Sequence, residues 1–159
     1  MGGPGSGNHW SRGRATVEEC WPLDAVRLMH GRDPLRVETS GTIIWSDGLS
    51  GKELSRAGVS VRPAASGLLL TLNYRSEHEK PVELPILLTP TYPHLGGKRW
   101  WFICPLVING VECNRRVRKL YLYGRYFGCR HCHNLTYRSS QEAHRFERFD
   151  LRLARMGYL

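Results

Sequence analysis

The chain has 159 residues, a net charge of +9, 41% hydrophobic residues, 17 glycines and 9 prolines, which fits one domain, or one domain with a small turn-rich module. No apolar run reaches the ~18 residues of a membrane span, and the N-terminus lacks the apolar core of a signal peptide. A membrane helix and a secretory leader are therefore not expected. Five cysteines, four of them clustered towards one end, suit metal binding in a reducing cytoplasm better than a disulfide framework.

The charge is unevenly placed. Residues 1–97 carry 10 Lys/Arg and 10 Asp/Glu, whereas residues 98–159 carry 13 and 4. All of the excess therefore lies in the cysteine-bearing end, where it favours a polyanionic partner. Four thiolates around one divalent ion carry a charge of only −2, too little to account for it.

Residues 1–15 read as a glycine-rich flexible arm, with no phosphate-binding loop. Thr16-Val17-Glu18-Glu19 has the pattern of a capping box, and Leu23 to His30 reads as a short helix stopped by Gly31 and Pro34. Cys20, remote from the other cysteines, is expected as a buried, inert thiol. From residue 41 the pattern changes to strands: 42–45, 59–62, 68–74 and 82–89. The third places residues 68, 70, 72 and 74 on one apolar face. Pro81, Pro85 and Pro90 suggest an edge or bulged position for the fourth. Strands this close in sequence should form an antiparallel meander packed by the short helix. Trp21 and Trp45 are candidate anchors for a protein interface.

Pro93-His94-Leu95-Gly96-Gly97 marks a boundary, followed by strand candidates at 100–103, 117–123 and 126–127. In the last segment Phe146, Phe149, Leu153 and Met156 recur at helical spacing with arginines around them. The expected fold is α+β: a small antiparallel sheet with an N-terminal short helix, a four-cysteine zinc ribbon and a C-terminal amphipathic helix. Its expected parts are the arm (1–15), a neutral α+β domain (16–97), the ribbon (98–138) and the helix (139–159).

Cys129-x2-Cys132 has the spacing of a zinc knuckle. Its partner pair, Cys104-x8-Cys113, is long, but the insertion contains Asn109-Gly110 between β-formers, a strong hairpin signal. A hairpin there brings Cys104 and Cys113 together. The longer loop costs about 1.2 kcal/mol in closure entropy, small beside the ~10 kcal/mol or more of structural zinc binding. His131 and His133 are competing ligands, but an all-cysteine set needs neither. One structural Zn²⁺ on Cys104, Cys113, Cys129 and Cys132 is therefore expected. Such a closed site leaves no position for an activated water. The aspartates Asp24, Asp33, Asp47 and Asp150 are scattered, unlike the clustered carboxylates of a two-metal nuclease. The chain reads as non-enzymatic.

Between the cysteine pairs, cations alternate with aromatics. Arg115, Arg116, Arg118, Lys119, Arg125 and Arg130 are candidate phosphate contacts, and Tyr121 and Tyr123, on one face of a strand, are candidate stacking platforms for DNA or RNA bases. The competing reading places Tyr121, Tyr123, Trp100 and Trp101 in the ribbon's core.

Thr16-Val17-Glu18-Glu19-Cys20, Trp100-Trp101-Phe102-x-Cys104-Pro105 and Cys129-Arg130-x-Cys132-x-x-Leu135-x-Tyr137 together resemble an uncharacterised family of small bacterial and phage zinc-ribbon-like proteins. The resemblance implies ligands at the four cysteines and a phage or mobile-element setting, and implies no activity. Two functions follow as expectations: a nucleic-acid-binding zinc-ribbon protein, or a phage-encoded, anti-CRISPR-like inhibitor that binds a host nucleic-acid-targeting defence complex.

Overall fold

The computed structural model describes residues 13–30, 39–75 and 80–140. Strands β1 (Trp21–Asp24), β2 (Thr39–Ser46), β3 (Glu53–Ala64), β4 (Gly67–Tyr74), β5 (Val82–Thr91), β6 (Arg99–Ile103), β7 (Val107–Ile108), β8 (Val111–Glu112), β9 (Arg116–Val117), β10 (Lys119–Tyr123) and β11 (Tyr126–Gly128) dominate. Helix α1 (Ala25–Met29) and a 3-10 turn at Val17–Glu19 precede β2.

The α+β expectation is corrected: the described residues are 54% strand and 9% helix, in three antiparallel sheets. Two local reasons account for the error near the N-terminus. Leu23, expected as the first residue of the short helix, lies in β1 opposite Leu120, so its burial comes from a sheet. The Asp24 carboxylate then accepts from the Val26 N–H at 2.9 Å, which starts α1 two residues late and leaves it five residues long. The Thr16–Glu19 box organises a single 3-10 turn, with Glu19 accepting from the Thr16 N–H at 3.0 Å. The apolar stripe from Phe146 to Met156 lies outside the described residues, as do most of the arm and residues 31–38 and 76–79.

The strands expected from 42 to 89 are present in the larger sheet. A six-stranded sheet runs β2-β3-β4-β5-β6-β9, every neighbour antiparallel, and its first four strands are the expected meander. Its alternation is the two-residue period of a half-buried sheet. Val59, Val61, Leu68, Leu70, Leu72, Ile86, Leu88 and Phe102 are buried, while Ser60, Arg62, Asn73 and Glu83 are exposed. β5 is internal to the sheet, but β6 pairs only with Leu88–Thr91. The flank of β5 at Pro85 is thus open, where a missing N–H costs least.

A second sheet, β1-β10-β11, covers the apolar face. Leu23, Leu120 and Phe127 from it, with Ala25 and Met29 from α1, enter the same core as the first sheet's leucines. Cys104 and Cys129 belong to that core too. β6 and β9 pair into the sheet of residues 39–91, and β1 pairs with β10, so sheet pairing crosses residue 97 in both layers. The Trp45 indole N–H donates to the Pro22 carbonyl at 2.8 Å, and the Tyr74 hydroxyl to the Arg125 carbonyl at 2.7 Å. These bonds tie the layers together at their edges.

Candidate metal centre and basic groove

The first ligand turn follows β6. Cys104 leaves the strand, Pro105 and Leu106 turn the chain, and β7 and β8 form a two-stranded hairpin. Asn109 and Gly110 connect them with φ of 51° and 77°, the left-handed pair of a type I′ turn, whose twist matches the strands it joins. The hairpin is closed by the Cys113 N–H donating to the Leu106 carbonyl at 2.9 Å, and beyond it the Cys104 N–H donates to the Arg115 carbonyl at 2.9 Å. Eight intervening residues are thereby folded out of the way, and Cys104 and Cys113 face each other like a short knuckle. Asn114, with φ 48°, takes the left-handed conformation that asparagine tolerates. The second ligand turn follows β11, where the His133 N–H donates to the Cys129 carbonyl at 3.2 Å.

These two turns bring Sγ of Cys104, Cys113, Cys129 and Cys132 within 4.8 Å of one another. The opposed pairs are 3.9 Å (Cys104 to Cys132) and 3.8 Å (Cys113 to Cys129) apart. Tetrahedral zinc with Zn–S bonds of ~2.3 Å requires sulfur–sulfur edges of about 3.8 Å; a disulfide would require ~2.05 Å. The backbone also supports thiolates. The Cys129 N–H points to Cys104 Sγ at 3.2 Å and the Cys132 N–H to Cys129 Sγ at 3.5 Å, while the Leu106 and Arg115 N–H groups serve Cys104 and Cys113.

Burial pushes the Cys104 thiol up to about 11 against those N–H bonds. It also pushes Cys132 up, reinforced by the neighbouring sulfurs. For Cys113 burial acts in the same direction, but the Arg115 N–H and the adjacent sulfurs outweigh it and hold the thiol below its usual value. Four sulfurs so packed resist joint ionisation unless a cation sits among them, so the donor set fits a bound metal ion. His131 and His133 are outside the set. His131 is exposed, and His133 lies half-buried, edge-on to Tyr123 with ring centroids 5.8 Å apart. Cys20 is also separate: it is 7% exposed, its thiol donates to the Thr16 carbonyl at 3.5 Å, and burial raises its pKa.

Beside the metal centre lies a cleft of about 670 Å³, lined by residues that include Trp101, Arg116, Arg118, Lys119, Tyr121, Arg130 and Tyr137. Its position follows from topology. β9 ends on the edge of the large sheet, β10 begins in the small one, and Arg118 is the corner between them. The opposite bank is the Cys129–Cys132 turn, which presents Arg130 and His131. Arg130 is fixed from two sides: its Nη1 donates to the Leu135 carbonyl at 3.5 Å, and its guanidinium lies 5.2 Å from the Tyr137 ring centre. Two acids temper the charge. Glu18 lines the cleft, and Asp24 takes Arg118 at 2.9 Å and Lys119 at 4.0 Å.

The sequence-derived contacts are thus divided. Arg116, Arg118, Lys119 and Arg130 meet at the cleft. Arg115 is exposed and is absent from its lining. Arg125 sits on the β10–β11 turn, 5.6 Å from the Tyr126 ring centre. Tyr121 is 7% exposed and packs with Val17, Cys20 and Leu135, so its ring faces are not free to stack; Tyr123 is 49% exposed. Trp101 and Tyr137, which were not among the sequence-derived contacts, also line the cleft. Alternation held the clue to the first: Trp100 is buried on β6, so Trp101 faces the other way. The pairing of Arg130 with Tyr137 depends on the fold of the turn and has no local signal.

Comparisons with protein-family models, with curated proteins and with solved structures give no match to this chain. Among the described residues no helix is long and apolar enough to cross a membrane.

Proposed function

We propose that this chain is a non-enzymatic zinc-ribbon protein that binds nucleic acid along the cleft between β9–β10 and the Cys129–Cys132 turn. The observation that carries the reading is the attachment of both banks to ligand turns. Arg116 stands three residues after Cys113, and Arg130 lies between Cys129 and Cys132. A four-thiolate zinc has no open coordination position, so its role is to fix those turns. Arg116, Lys119 and Arg130 then contact phosphates, with Trp101 and Tyr137 as the aromatic walls. The resemblance drawn from the sequence motifs suggests a phage or mobile-element origin. In a salt titration of oligonucleotide binding, affinity falls steeply with ionic strength. Arg116→Ala and Arg130→Ala each flatten the log–log slope by about 0.7–0.9. Binding that is absent at low salt, or unaffected by salt, contradicts the proposal.

One observation favours a second reading, the protein-binding inhibitor. Val107, Ile108 and Val111 are 56%, 45% and 70% exposed on the β7–β8 hairpin, a larger apolar tip than solubility asks for. Under that reading Ile108→Asp abolishes inhibition of a host defence complex while leaving oligonucleotide binding intact.

A further inference from the structure

We infer that the cleft takes a single strand with unstacked bases and discriminates against duplex DNA or RNA. The inference rests on the nucleic-acid reading above and deepens it. A duplex is read by a convex element pushed into its groove, an α-helix or a two-stranded ribbon. Among the described residues α1 has five residues, about 7.5 Å of helix, too short to follow a major groove. The β7–β8 ribbon is long enough to protrude, but from Pro105 to Asn114 it carries no lysine or arginine and one acid, Glu112. Its exposed apolar side chains are Val107, Ile108 and Val111, with Asn109, Glu112 and Asn114 exposed beside them. Such a tip brings no positive charge to two phosphate backbones.

Four of the cations, Arg116, Arg118, Lys119 and Arg130, are instead in a concavity. A cleft of about 670 Å³ falls in the ~300–1,000 Å³ range that encloses a drug-sized molecule, which by that scale admits about one or two nucleotides. Its walls carry the two aromatic types that stack bases without regard to sequence: Trp101, half-buried with its indole N–H held by Thr91 Oγ1 at 2.9 Å, and Tyr137, 44% exposed. Both are oriented before any ligand arrives, one by that hydrogen bond and the other by Arg130. Preset aromatic walls beside cations are the arrangement that binds extruded bases and an unpaired backbone.

The test is fluorescence anisotropy with the zinc-loaded full chain, a labelled oligo-dT strand, and a labelled duplex of equal length, all in the same low-salt buffer. The expected result is at least tenfold tighter binding of the single strand. Tyr137→Leu, which keeps apolar volume and removes the π face, lowers single-strand affinity about tenfold. Equal or tighter binding of the duplex, with a steep salt slope, overturns the single-strand inference and leaves the nucleic-acid reading standing. Failure to bind either probe overturns both. A Tyr137→Leu variant that binds like the parent chain removes the stacking role of this cleft and overturns the inference even if single strands are preferred.

Discussion

Arg118 reaches across 94 residues of sequence to Asp24, its Nε 3.1 Å and Nη2 2.9 Å from the two carboxylate oxygens. The contact joins the corner between the two sheets to the residue that caps α1, beside the Ala25 N–H that donates to the Arg118 carbonyl at 3.0 Å. It also engages one of the cleft's four principal cations. Arg118→Ala should therefore lower the urea midpoint of unfolding more clearly than it changes the salt slope of oligonucleotide binding. Arg116→Ala should do the reverse.

Asp24 allows the cap to be separated from the ion pair. Asp24→Ala loses both, and the cap alone is worth about 1 kcal/mol. Asp24→Asn keeps a good cap and loses only the charge, so it should cost less in the same denaturation experiment. Burial of this carboxyl raises its pKa, but hydrogen bonds from Arg118 and the Val26 N–H outweigh that and hold it below the usual aspartate value. A depressed folded-state pKa contributes stability above the unfolded pKa of ~3.9, and that stability is lost as pH falls through the folded value. The acid limb of stability in this range should be shallower in Asp24→Asn than in the parent chain.

The cysteines should divide four to one. Replacing Cys104, Cys113, Cys129 or Cys132 by serine should abolish stoichiometric metal in elemental analysis, whereas Cys20→Ser should leave it intact. Metal uptake should release protons, because the Cys104 thiol, at about 11 when metal-free, is protonated at neutral pH. Zinc affinity should accordingly weaken as pH falls, measurable by competition with a chromophoric chelator.

Two glycines should respond very differently to alanine. A Cβ at Gly110 meets nothing within 4 Å, so Gly110→Ala carries only the strain of φ +77°, about 1 kcal/mol. At Gly67, φ is +152° and the Cβ runs into the Leu88 carbonyl oxygen on the neighbouring strand. Backbone cannot step aside there, so Gly67→Ala should cost more than Gly110→Ala, about 2–4 kcal/mol. Comparing their urea midpoints tests the β4–β5 register directly.

The parts of this molecule legible in its sequence are those that local chemistry determines. Leu68, Leu70 and Leu72 alternate because the sheet buries one face, and Asn109-Gly110 predicts its own turn. Together with Cys129-x2-Cys132 these features place four cysteines with metal-ligand chemistry. What was not legible depends on partners distant in sequence. Leu23 looks helical until Leu120 pairs with it. Tyr121 looks like a stacking platform until Val17 and Leu135 cover it. The cleft itself is made by β9 and β10 belonging to different sheets, a relationship that no spacing along the chain expresses.

The central claim is that a zinc ion holds the basic cleft in shape for nucleic acid. Native mass spectrometry of the full chain with a short single-stranded oligonucleotide, before and after chelation, tests it most directly. The expected species is a complex of one chain, one zinc and one oligonucleotide, with the oligonucleotide lost when zinc is removed and regained when it is restored. A zinc-free chain that keeps its oligonucleotide, or a zinc-loaded chain that never acquires one, would contradict it.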